Sequence, residues 1–335
     1  MRNFKIGFSL GPLLSIKEII LIARYADEAG GVDSIWIPES WGRESFSTLG
    51  AISQVTRKLR LGSSIINVYS RTPATIAMGA ATLDKLSNNR TIIGLGTSTP
   101  ELVTGWHGME FDSPLQRVKE CIECLRLILS GERVKYNGRH FKINNFKILE
   151  TPTRKTLPIF VAAVHQKMID LARSYANGVV FYLRPIDELR KTVSTLRSGA
   201  RINSCGADFE IACSIICAIS SSNPQKARER ASKTLAYYIS TGRYYNRFLA
   251  DNGFRNDVIS IAQRYKNVGL EAAAEAITDK MLDSLTICGS IEQCSKSFER
   301  FLSSGISLPI IQVNPVDDSV LSFKEMLSAF KCTES

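Results

Sequence analysis

Short apolar runs alternate with helical patterns along almost the whole chain. FKIGFS (4–9) predicts a first strand, and 16–29 repeats apolar residues at helical spacing until Gly30 and Gly31 end it. SIWIP (34–38) and the β-branched-rich LGSSII (61–66) predict the second and third strands. Thr72 and Pro73 then open a helix, as cap and first-turn proline, that runs to about Leu86. RTIIGLG (90–96), PIFVAA (158–163), GVVFY (178–182), FEIACSIICAI (209–219) and ISLPIIQVN (306–314) complete the strands. Further helices are predicted at 116–129, around 168–175 and at 320–330. Apolar strands separated by helices pair in parallel and are covered on both faces. The eight together predict one α/β domain over 1–335, a (β/α)8 TIM-type barrel with insertions.

Three segments break the rhythm. The stretch from Thr97 to Leu115 reads as a functional loop. VKYNGRHFKI predicts an inserted hairpin near 132–149, with Asn137-Gly138 as a two-residue turn. The helical pattern from Gln225 to Leu282 is longer than one barrel helix and predicts an insertion near 242–282. It carries Tyr237, Tyr238, Tyr244, Tyr245 and Phe248, a set read as packing, with a substrate lid as the alternative.

Composition narrows the partners. The 335 residues are 44% hydrophobic and 22% charged, an ordinary globular balance, with a net charge of +10. Lys and Arg are scattered without a basic run, so the expected partner is a small molecule, an anionic one included, and not nucleic acid. Cys121 and Cys124 form a CxxC inside a helical pattern, with no second pair at zinc spacing, so no metal is expected. Cys213 and Cys217 fall in an apolar run and read as core. No signal-peptide pattern or apolar run of 18 residues is present, which predicts a soluble, cytoplasmic protein with no membrane partner. A homo-oligomer is compatible with this sequence, which does not fix the oligomeric state.

In such barrels the active site lies at the C-terminal ends of the strands. That rule selects Ser9, then Glu39, Ser40 and Trp41, then 65–67, Gly96 to Thr99, Ala162 to His165, and Phe181 to Arg184. Acid–base groups are few. Of three histidines, His107 lies in the loop after strand four and is a candidate for facing the pocket. His165 is placed for ligand contact, and His140, in the hairpin, is expected at the surface. A site rich in small and hydroxyl residues suits a cofactor that performs the hard chemistry itself. Gly94 and Gly96 of GLGTST would let backbone approach a flat ligand or phosphate closely, although GxGxxG is absent.

The run LRLGSSIINVYSRTPATIAMGAATLDKLSNNRTIIGLG resembles the third- and fourth-strand region of the luciferase-like flavin and deazaflavin oxidoreductases. PIFVAAVHQKMIDLARSYANGVVF and GSIEQCSKSFERFLSSGI are similar to further parts of that family, so the resemblance spans most of Phe4 to Asn314. NVYSRTPA and SGERVKYNGRHFKI are similar to deazaflavin-dependent methylenetetrahydromethanopterin reductases, and the second also to the related glucose-6-phosphate dehydrogenases. The resemblance implies coenzyme F420 across the barrel mouth and hydride transfer with a small organic substrate. It also implies a cis non-proline peptide at Ser64–Ile65 that bulges strand three under the ring. Carried over residue by residue, the cofactor contacts become Ser63, Ser64, Ile65 and Asn67 on strand three and Gly96, Thr97, Ser98 and Thr99 on strand four. Ala162, Ala163, Val164, Gly178 and Val179 follow on strands five and six.

Barrel packing is the alternative at every one of these positions, and contact outweighs it on strands three and four. Glu39 stands where the family often has Asp, and Ser40 where it often has His. A lone serine hydroxyl is no base near neutral pH, so Glu39 is the expected proton carrier, with His107 next. The alternative for Glu39 is simple pairing with Arg43 or Arg71. FMN with monooxygenase chemistry, or a non-catalytic cofactor-binding paralogue, are the competing readings.

Overall fold

The computed structural model describes residues 4–39, 42–154, 156–198 and 209–332. Its strands are β1 Gly7–Ser9, β2 Ser34–Ile37, β3 Arg60–Ser63, β4 Ile66–Asn67, β5 Thr91–Gly96 and β6 Val134–Asn137. There follow β7 Lys142–Phe146, β8 Ile159–Ala162, β9 Gly178–Tyr182, β10 Glu210–Ile219, β11 Thr286–Gly289 and β12 Leu308–Val313. Apart from the β6–β7 hairpin, the strands alternate with helices in one parallel set, and the fold class is the (β/α)8 TIM-type barrel. The eight predicted strands correspond to β1, β2, β3 with β4, β5, β8, β9, β10 and β12. β11 was not among them: its four residues follow directly on the helix Asp279–Leu285 and read as the tail of that pattern.

The described residues form two compact units. One gathers those of 34–180 and 201–210, with β2, β3, β5, β8 and β9 side by side. Trp36 fixes its centre: the indole lies where any Cβ on Gly62 would have to be, 5.7 Å from the Phe160 ring, and donates to Ser34 Oγ at 2.9 Å. The Leu-Asp-x-Leu-Ser-x-x-Arg stretch secures the start of β5. Asp84 is fully buried, accepts from the Thr91 N–H at 3.2 Å and pairs with Arg154 at 2.6 Å. Arg90 donates to the carbonyls of Ser53, Thr56, Leu59 and Ser87 and closes the end of the helix Ser45–Val55. A buried guanidinium is tolerated because its donors are met.

The inserted hairpin is present, but its turn differs from the expected one. Neither Asn137 nor Gly138 has the positive φ that a type I′ turn demands, and residues 138–141 form the loop instead. The cause is Glu120, which is 1% exposed and accepts from the N–H groups of Arg139, His140 and Phe141 at 2.9, 2.8 and 3.2 Å. Burial raises its pKa, but hydrogen bonds from Gln116 and these amides outweigh that and leave it lowered. A side chain on Gly138 would collide with the same carboxylate.

The other unit gathers the described residues of 1–33, 181–200 and 211–335, with strands in the order β11-β10-β12-β1. Between Pro224 and Leu285 it runs through five α-helices and a π-helical turn at Ala250–Phe254, with positive φ values of 92° at Gly253 and 118° at Gly269. The helices bury Leu235, Ile239, Leu249, Phe254 and Ile261 against Ile216 and Ala218 of β10. Tyr238 and Tyr245 meet Tyr182 edge-on at 5.1 and 5.5 Å, and Tyr182 donates to Gln312 Oε1 at 2.7 Å. Cys121, Cys124, Cys213 and Cys217 are all buried, and burial pushes the Cys124 and Cys213 thiols up to about 12. Among the described residues no helix is long and apolar enough to cross a membrane.

Candidate functional site

The strand-three candidates sit on a bulge. Between the pairs Leu61↔Thr91 and Ile66↔Leu95 the third strand advances five residues while β5 advances four. The extra residue swells the chain at Ser64–Ile65, whose peptide bond is cis as the resemblance implies. Ser64 donates its N–H to the Ile37 carbonyl at 2.9 Å, and β4 resumes pairing at Asn67↔Gly96.

This bulge accounts for the glycines of β5. A Cβ on Gly94 would lie 1.9 Å from the Ser63 carbonyl oxygen, and one on Gly96 would lie 2.8 Å from the Ile65 side chain. Ser63 Oγ also accepts from the Gly94 N–H at 2.9 Å and donates to its carbonyl at 3.1 Å. Gly94 is therefore required by its own neighbouring strand. The expectation of an open approach for ligand at that residue is corrected.

Asn67 ends β4 and is 4% exposed. Its Oδ1 accepts from the Tyr69 N–H at 2.9 Å, while its Nδ2 is buried and meets no acceptor among the described residues. A buried donor left unmet costs ~1–3 kcal/mol, so a structure that keeps one calls for a reason.

Glu39 follows β2, with 14% of its side chain exposed. Its Oε2 accepts from the Ser45 N–H at 3.0 Å and from Arg71 Nη2 at 2.8 Å. Burial raises its pKa; the Ser45 hydrogen bond and the Arg71 charge oppose this without cancelling it. Arg71 also pairs at 2.6 Å with Glu44. Glu44 caps the helix Ser45–Val55 by accepting from the Phe46 and Ser47 N–H groups. Burial pushes the Glu44 carboxyl up, yet these bonds together bring it down to about 2. Of the two cations expected near Glu39, Arg71 is thus bonded to it, and the Arg-x-Pro-Ala stretch joins Glu39 to the cap at Thr72, which accepts from the Thr75 N–H.

The other candidates separate. Thr97, Ser98 and Thr99 are half-buried just past β5, with Ser98 at φ 57° and Thr99 capping the short helix Pro100–Gly105. Ala162 and Val164 are half-buried and Ala163 buried at the end of β8. Gly178 and Val179 lie at the opposite, N-terminal start of β9. Val179 is fully buried, and the space beside Gly178 holds the Glu210 carbonyl and the Phe160 ring, so both are packing positions. His107 lies on an exposed stretch, and Ser40 lies outside the described residues. His165 is exposed at the cap of the helix Gln166–Tyr175. His140 reverses its expectation: its side chain is 5% exposed, and no alternation in the hairpin marked it as buried.

The luciferase-like monooxygenase family pattern matches residues 5–308. A Mycobacterium tuberculosis protein named for coenzyme F420-dependent oxidoreduction is 28% identical over 92% of this chain and 95% of its own. The 5,10-methylenetetrahydromethanopterin reductase of Methanolobus tindarius is 26% identical over 89% of this chain and 91% of its own. Among solved structures, the F420-dependent tetrahydromethanopterin reductase of Methanopyrus kandleri superposes with a TM-score of 0.84. At 20% identity it covers 96% of this chain and 97% of its own, and shows the same fold.

Proposed function

The chain belongs to the luciferase-like monooxygenase family, and from that premise we propose that it is an oxidoreductase moving a hydride between coenzyme F420 and a small organic substrate of the methylenetetrahydromethanopterin kind. The observation that carries this reading is the unmet amide of Asn67 at the end of the strand-three bulge. A buried N–H donor at this bulge fits the carbonyl edge of a flat ring, which F420 and FMN share, so the choice between them rests on the relatives. Ser64, Ile65, Asn67 and the turn from Gly96 to Thr99 would hold the ring. When bound, F420 supplies hydride-transfer chemistry, because carbon replaces the flavin N5 nitrogen that supports oxygen activation. A relative named for F420 over 92% of the chain supports the choice, a relative named as a methylenetetrahydromethanopterin reductase supports the substrate class, and FMN with oxygen chemistry is the second reading, in keeping with the family's own description.

Glu39 has two tasks in this account. Its Oε2 holds Arg71 and the Ser45 amide, and its raised pKa keeps a proton available closer to neutral pH.

The test pairs wild type with Asn67→Asp under argon. Wild type should consume reduced F420 when offered methylenetetrahydromethanopterin. Asn67→Asp keeps the acceptor for the Tyr69 N–H and loses the donor, so F420 affinity should fall at least about tenfold, the equivalent of one lost hydrogen bond. Equal affinity in the two proteins would remove the Asn67 amide from the site, and turnover only with reduced FMN and oxygen would replace the reading.

A further inference from the structure

The hairpin insertion and the Asn67 amide are joined by one continuous set of contacts, and a buried histidine stands at its far end. Tyr69 donates its N–H to Asn67 Oδ1 and so decides which way the amide faces, turning Nδ2 away from itself. The Tyr69 ring stacks on Phe111 at 5.1 Å, and its hydroxyl donates to the Asp112 carbonyl at 2.7 Å. The Arg117 guanidinium lies over that ring, 4.5 Å from its centroid, and donates to Asp112 Oδ1 at 3.0 Å. The same Nη2 is 3.3 Å from His140 Nδ1. Glu120 fixes His140 in turn by taking its backbone N–H.

We propose that His140 and Arg117, acting through Tyr69, are positioning residues for the Asn67 amide, and that they hold it only while the His140 imidazole is neutral. The proposal rests on the F420 reading for its consequence, though not for its geometry. Arginine is always a donor, so a contact from Arg117 Nη2 requires Nδ1 to be an acceptor, with the ring proton on Nε2. His140 Nε2 is buried and meets no acceptor among the described residues, so the neutral ring gains nothing on that side. Protonation of Nδ1 converts the contact into two cations 3.3 Å apart. Arg139 adds to the positive side, while Asp112 Oδ2, 3.6 Å from Nδ1, and the Glu120 carboxylate offset part of it. The relief available is for Arg117 to leave His140, and Arg117 shares the cover of the Tyr69 ring with Phe111.

Acidification is what adds a proton to an imidazole, so pH is the variable to scan. The variant is His140→Gln, whose carbonyl can still accept from Arg117 and cannot be protonated. Two measurements are made from pH 7.5 to 5.5. In wild type, amide exchange at Tyr69, corrected for the intrinsic rate, should speed up about tenfold on acidification; in His140→Gln it should change less than about twofold. F420 affinity, taken as the ratio of wild type to His140→Gln at each pH so that the cofactor's own ionisation cancels, should fall about fivefold over the same span. Parallel profiles for the two proteins in both measurements would overturn the proposal. If F420 binds neither protein, the cofactor reading fails, and the exchange profile alone decides the role of His140.

Discussion

Glu39→Gln is expected to lower turnover about a hundredfold while F420 affinity stays within about threefold, since general acid–base groups contribute roughly 10²–10⁴-fold. Glutamine preserves the shape and an acceptor oxygen for both the Ser45 N–H and Arg71, so the helix cap and the Glu39–Arg71–Glu44 contacts should persist. What it removes is the titrating proton on a carboxyl that burial has raised above its usual range. In wild type, the proton is then lost at higher pH than from an ordinary glutamate, and the alkaline limb of the activity profile, where that proton is gone, should lie correspondingly higher. The variant should have no such limb. Unchanged turnover with an unchanged profile would reduce Glu39 to an anchor for Arg71 and send the search for the proton carrier elsewhere.

Gly94→Ala is expected to damage stability and cofactor affinity together. The new methyl would lie 1.9 Å from the Ser63 carbonyl oxygen, and the atom it meets is backbone that cannot rotate aside. Overpacking of this sort costs about 1–3 kcal/mol, and a backbone obstacle belongs at the upper end. Relief requires β3 and β5 to part where Ser63 and Gly94 are bonded, immediately before the turn proposed to contact the cofactor. Gly50→Ala is the control: it lies in the helix Ser45–Val55 with no atom within 4 Å of the new methyl, and should be neutral or stabilising by ~0.5–1 kcal/mol. Thermal unfolding of the two variants separates the effects. A Gly94→Ala protein with wild-type midpoint and wild-type F420 affinity would show that the bulge does not need that glycine.

Period and punctuation made most of the fold legible. Apolar runs of five to eleven residues stood between helical runs, and Thr72-Pro73 and Gly30 marked helix ends that the structure places at the same residues. β11 escaped because TICG directly follows a helix with no turn residue between them. The hairpin turn escaped for a different reason. Asn137-Gly138 is a strong local signal, but Glu120, seventeen positions earlier and buried beneath the loop, offers three amides an acceptor that a two-residue turn would waste.

At the site, the position of Asn67 and the strand-three bulge followed from the resemblance, while the reason for Gly94 did not. A glycine that makes room for a neighbouring strand and one that makes room for a ligand look alike in sequence. His140 was equally hidden. Its burial comes from Arg117, Asp112 and Glu120 on other elements, and nothing within the hairpin signals it.

The central claim is that strand three and the turn after β5 hold a deazaflavin in preference to a flavin. Parallel fluorescence titrations of the same protein with F420 and with FMN test it most directly. The account predicts saturable F420 binding with a dissociation constant at least about tenfold below that for FMN, a difference of roughly 1.4 kcal/mol. Tight FMN binding with no response to F420 would contradict it.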